Sequence, residues 1–198
     1  MENMSQLYTA WLPEKIPYTG AELAPHWISA RTKVFASSIV AFRGPCQVNT
    51  GEMVDLEDSR AGKFITSGEM LHFLGEWFDG SLELAVARQR LLIAGFAELL
   101  RARISPEKAH ALIRRGNDLF LSLPGKEPAK LSVSIVTASP VSTLFHFGVN
   151  IDPSGAPVKA VGLVELGIQP EDLAKAVLHS WNEEWNGMAK ARCKVAPR

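Results

Sequence analysis

Lys130, Ser132, Ser134, His146 and Asn150 lie in one stretch, KLSVSIVTASPVSTLFHFGVNID from Lys130 to Asp152. Apolar and polar residues alternate on both sides of the short ASPVS break, which predicts two antiparallel strands joined by a tight turn. A loop of odd length around Pro140 sets Lys130 opposite Asn150, Ser132 opposite Gly148 and Ser134 opposite His146, so all six project to one face. Leu131, Val133, Ile135, Phe145, Phe147, Val149 and Ile151 then form the other, apolar face. An ammonium, two hydroxyls, an imidazole and an amide suit an anionic group, with Lys130 the fixed positive charge. Gly148 in mid-strand marks a close approach by a ligand or another backbone. A solvated sheet face would carry the same residues, so spacing alone leaves both a ligand floor and a wet surface open.

The elements that must hold this hairpin are legible to different degrees. Residues 1 to 35, with YTGAELAPHW, read as an irregular opening segment. SIVAF and EMVDLE read as strands around the turn RGPCQVNTG, with Val54 and Leu56 inward and Asp55 and Glu57 solvated. Thr66 followed by Glu69 has capping-box spacing and predicts a helix over EMLHFLGEWFD, with Met70, Phe73, Leu74 and Trp77 on its inner side and His72 pointing away. A second helix starts near Ser81, and a third is bounded by Ser105 as N-cap, Pro106 at its first position and Gly116 as terminator. DLFLSL reads as a strand and PSGAPVKAVGLVELGI as a turn and a strand. QPEDLAKAVLHSWNEEWNGMAKA reads as a closing helix with Leu173, Val177, Leu178, Trp181 and Trp185 inward. Strands, a helical block, adjacent strands and a last helix predict one α+β domain over residues 1–198, a mixed or antiparallel sheet packed with helices.

The chain has 198 residues, 21 basic and 21 acidic, with 46% hydrophobic residues. Balanced charge without like-charge blocks argues against nucleic acid or a membrane surface as partner and for a small molecule or a protein. The N-terminus shows neither a secretory signal nor a membrane span, which predicts a cytoplasmic location. Cys46 and Cys193 lack metal-ligand spacing and imply no disulfide framework.

NDL at Asn117–Leu119, KLSVS from Lys130 and HFGVNID from His146 resemble the core of the biotin and lipoate protein ligase superfamily, related in fold to class II aminoacyl-tRNA synthetases. The resemblance implies that Lys130 holds the carboxylate of an acyl substrate or its activated form, and that Asp118 sits near a nucleotide-bound metal where ATP with magnesium is used. Asp118 also fits a plain turn residue. RGPCQV, with Arg43 and Gly44, resembles a substrate loop of the lipoyl or octanoyl transferases, which do not use ATP. NIDPSGAPVKAVGLVELG resembles the segment that carries their acyl-accepting cysteine. Ser154 occupies that cysteine position here, a far poorer nucleophile than a thiolate. Cys46, where the loop usually has glycine, is a candidate relocated nucleophile or a buried structural residue. Over its full length, through YTGAEL, SIVAFRGPC, MVDLED, RRGNDLF and SVSIVTASPVSTLFHFGVNI, the chain resembles a prokaryotic family catalogued as domain of unknown function 366. The expected function is binding of a small carboxylic acid or acyl conjugate, with activation or transfer, its partner the acid itself or an acyl carrier protein. The alternative is a non-catalytic sensor or chaperone on the same scaffold.

Overall fold

The stretch from Met70 to Trp77, whose spacing predicts a helix, is the buried middle of a long strand. A computed structural model describes residues 7–197, and in it β3 (Ile65–Trp77) is the centre of a five-stranded sheet. Every residue from Met70 to Trp77 is buried. Leu71, Phe73 and Trp77 enter one apolar layer and Met70 and Leu74 the opposite one. A strand covered on both faces is apolar at consecutive positions, and such a run satisfies helical spacing by accident. The apparent inner stripe thus draws its members from both sides of a sheet.

The sheet order is β1 (Tyr8–Lys15), β2 (Ser38–Val48), β3, β8 (Thr143–Asp152), β7 (Ser132–Ala138). β1 and β2 run parallel and the other pairs antiparallel. β2 includes RGPCQV, and EMVDLE forms no strand. Thr50–Glu52 makes a 3-10 turn, and Asp55 accepts the Glu57 and Asp58 N–H groups to cap α2 (Leu56–Arg60). A small antiparallel sheet is built from β4 (Leu112–Arg115), β5 (Asp118–Leu121) and β6 (Ala129–Lys130). Gly116 therefore does not stop a helix. With φ of 64° it makes the turn between β4 and β5.

One face of the large sheet is covered by α3 (Leu82–Arg101) and α6 (Pro170–Cys193). Ser81 caps α3 by accepting the Leu84 N–H, and Leu92, Ile93, Phe96 and Leu100 point inward at helical spacing. α6 starts with Pro170 at its first position and buries the expected stripe, Leu173, Val177, Leu178, Trp181 and Trp185. Arg88 of α3 lies 4.1 Å over the Trp185 ring and 5.7 Å from the Trp77 ring, and its fork grips Asp79 at 2.7 and 2.9 Å. Ser105 and Pro106 do begin α4 (Pro106–Ala111). Among the described residues, the segment expected to form a strand after Asp152 makes only a single bridge, Ala160 to Lys130, before α5 (Leu163–Leu166).

The other face is covered by the segment that includes α1 (Trp27–Thr32), with Tyr18 and Ile28 buried in it. Tyr18 is fixed to β2, its N–H donating to Pro45 O and its O accepting from Gln47 N. Among the described residues no helix is long and apolar enough to cross a membrane.

Candidate functional site

The β7–β8 hairpin closes with Ala138 opposite Thr143, so its loop is Ser139–Ser142, an even number of residues. Ser139 Oγ accepts the N–H groups of Val141 and Ser142 and holds this turn. The pairing is therefore one residue out of the predicted register: Ser132 faces Val149, Ser134 faces Phe147, and Val133 faces Gly148. A one-residue slip sends alternate side chains to the opposite face. Both serine hydroxyls accordingly work on the helix side. Ser132 Oγ accepts the Leu119 N–H, while Ser134 Oγ accepts from Gln89 of α3 and donates to His146 O. Both residues border the cavity described next, but their hydroxyls are engaged on the side of the sheet away from it.

Lys130 reaches the cavity by another route. It belongs to β6, pairing with Phe120, and its backbone bridges to Lys159 and Val161. The chain passes into the large sheet at Leu131, which is fully buried and bonds to Leu119 O and Asn150 N. That change of sheet turns the Lys130 side chain onto the same wall as Asp118, with Nζ 2.8 Å from Asp118 Oδ2. Asn150 donates Nδ2 to Lys130 O at 3.3 Å and steadies the strand end. Lys130, Asp118, Asn150 and His146 all line one cavity of about 580 Å³, within the range of small-molecule sites. Tyr18 and Met70 continue its floor, and Met53, Phe64 and Val158 form apolar parts of its wall.

At the other end of the floor, the predicted His146 has a partner behind it that was not expected there. His72 is not an exposed helix residue but is wholly buried on β3, Nδ1 3.0 Å from His146 Nε2 and Nε2 3.2 Å from Gly44 O. Tyr18 stacks on the His146 ring at 3.8 Å with planes 8° apart, and Phe42 stacks on His72. Burial lowers the pKa of His72 to about 4. Burial, and then the neighbouring His72, hold His146 well below the ordinary imidazole range. Both rings are neutral at physiological pH. The signal available in the sequence was a histidine inside an unbroken apolar run, since a buried imidazole requires partners.

The remaining predicted residues lie apart from this cavity. Gly148 is opposite His72, but a side chain there would meet Met70 Cε at 3.1 Å and His146 Cε1 at 3.2 Å, so the space above it is filled by protein. Arg43 is exposed and directed to Glu69 at 3.9 Å, not into the cavity lining. A Cβ at Gly44 would lie 2.0 Å from Ile16 O, so this glycine serves the approach of the neighbouring backbone, and its carbonyl holds His72. Cys46 is buried, and burial, followed by Glu22, raises its thiol pKa to about 12. Such a thiol is protonated and sealed, the opposite of a reactive cysteine. Ser154 is exposed, with its Oγ donating to Asp152 Oδ2 at 3.1 Å and its N–H to Asp152 Oδ1. Among the described residues no group of three or more His, Cys, Asp or Glu is disposed to hold a metal ion.

The fold is that of the biotin and lipoate protein ligases. Biotin protein ligase from Aquifex aeolicus in complex with biotin and ATP is similar over 89% of this chain and 70% of its own, with a TM-score of 0.56 and 16% identity. A bipartite lipoate protein ligase from Thermoplasma acidophilum, described with its E2 lipoyl domain, is similar over 92% and 84%, with a TM-score of 0.54 and 10% identity. At such identities the likeness speaks for the fold alone. A protein of unknown function from Pyrococcus horikoshi is much nearer, at 35% identity and a TM-score of 0.86 over 98% of this chain and 100% of its own. The family described as "Domain of unknown function (DUF366)" matches residues 7–196, and the chain belongs to that family.

Proposed function

We propose that the protein binds a small carboxylic acid, or its acyl conjugate, in the cavity between Lys130 and His146. The observation that carries this reading is the Lys130 ammonium on the cavity wall, held by Asp118 at 2.8 Å. An ammonium has three donors. Asp118 takes one and orients the group, leaving others for a ligand carboxylate. The rest of the floor, Tyr18, Met70 and the neutral His146 imidazole, is suited to an uncharged tail. The fold relatives that hold biotin with ATP, or act with a lipoyl domain, support an acid as the class of ligand.

Two chemical uses of this pocket differ in one respect. Magnesium bound through a nucleotide's phosphates needs only one or two protein carboxylates, and Asp118 Oδ1 is the oxygen left over from the Lys130 pair. Bound ATP would supply activation of the acid as an acyl phosphate, whose charge Lys130 is placed to face. The other use is binding without turnover by a sensor or chaperone. That reading is favoured by the nucleophile positions, since Cys46 is sealed and Ser154 Oγ is engaged by Asp152 outside the lining.

The test is calorimetric titration with biotin, lipoate and octanoate on the wild-type protein and on Lys130→Ala. Loss of one charge-assisted contact weakens the bound acid by about 10- to 100-fold while the fold persists. Unchanged affinity in the variant refutes the role of Lys130. Pyrophosphate exchange dependent on the bound acid marks the adenylating use, and tight binding without exchange marks the other.

A further inference from the structure

The hydrogen-bond chain through the two histidines has only one consistent arrangement of protons. Gly44 O can only accept, so the ring hydrogen of His72 is on Nε2. His72 Nδ1 is then a bare acceptor, and the 3.0 Å contact requires the hydrogen of His146 to be on Nε2. His146 Nδ1 is therefore left with a lone pair and no hydrogen. It has no hydrogen-bond partner among the described residues. Unlike the indole nitrogens of Trp11, Trp77 and Trp181, it is not fully buried. His146 is 97% buried in the sense that only 3% of its surface is accessible, and the cavity is what it lines. Tyr18, stacked at 3.8 Å, holds the ring plane and so fixes the direction of that lone pair.

We infer that the ligand carries an N–H or O–H donor at the end remote from its carboxylate, and that His146 Nδ1 receives it. The inference rests on the reading above, in which an acid sits against Lys130, and it narrows the class of acid. His146 and Asn150 are four residues apart on β8, about 13 Å of strand, and Asn150 holds the Lys130 carbonyl. A plain alkyl tail reaching that distance would displace water from Nδ1 and leave the nitrogen unpaired, which is unfavourable in a buried site. A tail ending in a cyclic urea, amide or hydroxyl group satisfies it. His72 is a positioning residue here, because its bond to Gly44 O dictates which nitrogen of His146 is free.

The experiment is titration of biotin, whose tail ends in a cyclic urea, octanoate, whose tail has no donor, and imidazolidin-2-one, the cyclic urea without a carboxylate. Each is titrated into wild type, His146→Phe and Lys130→Ala. The expected result is biotin bound about 10- to 100-fold more tightly than octanoate, with that preference lost in His146→Phe. Octanoate bound as tightly as biotin, with Lys130 dependence and no effect of His146→Phe, overturns the donor while leaving the acid reading intact. Imidazolidin-2-one bound in Lys130→Ala and lost in His146→Phe, with neither acid bound, supports the donor and refutes the acid. Absence of binding by all three probes overturns both. Ring nitrogen NMR of the wild-type protein supplies a readout independent of variant folding. His146 Nδ1 should resonate as an unprotonated nitrogen and move on addition of the cyclic urea, whereas a hydrogen on Nδ1 overturns the inference.

Discussion

Acidification should destabilise this protein in a window set by the buried histidines. His72 is neutral in the folded state with a pKa of about 4, against about 6.5 in an unfolded chain. Between those values the unfolded state binds more protons, so stability is fully present above the unfolded pKa and falls as pH drops below it. Integrating the single-site difference from about pH 7.5 to about pH 5 gives a loss of about 2 kcal/mol from His72. His146 is shifted in the same direction and adds to the loss. The assay is urea unfolding at several pH values in this interval, where most carboxylates stay ionised. The control is His72→Gln, which does not titrate yet retains a donor for Gly44 O and an acceptor for His146. The wild type should lose about 2 kcal/mol more than the variant over the interval. Parallel curves for the two proteins would refute the claim that His72 is buried uncharged.

Gly44→Ala should cost about 1–3 kcal/mol and lower the thermal midpoint, because its Cβ would meet Ile16 O at 2.0 Å and the backbone must move. In native protein a thiol reagent should label exposed Cys193 and spare Cys46 until denaturant is added, with peptide mass spectrometry as the readout. Arg88→Ala should destabilise by about 2 kcal/mol through loss of its stacking on Trp185 and its fork on Asp79. Asp79→Asn should destabilise less, since it keeps the stacking; equal effects would place the whole contribution in the ion pair.

Legibility followed the number of layers each element touches. α3, α4 and α6 have solvent on one side, and the starts of α3 and α4 at Ser81, Ser105 and Pro106 and the inward stripe of α6 could be read directly. β3 has protein on both sides, so neither period 2 nor a true 3.6 stripe was present, and Thr66 with Glu69 supplied a false start. The hairpin was recognised as a hairpin, but its register depends on whether the turn holds an odd or an even number of residues. Ser139 decides that through bonds to the turn backbone that no periodicity displays. Lys130 and His146 share a cavity, although not through the strand pairing proposed for them. Asn150 was placed on the correct strand, whereas His72 was hidden by the helical reading of its own segment.

The passage of the chain between the two sheets at Leu131 has a consequence for selectivity. The ammonium belongs to the small sheet and the free imidazole nitrogen to the large one, and a single buried leucine separates the backbone of Lys130 from the strand beside His146. The separation of the two backbones is thus written into covalent geometry and does not depend on how a surface loop settles. Under the binding mode proposed above, an acid's chain length should therefore affect whether it meets both groups.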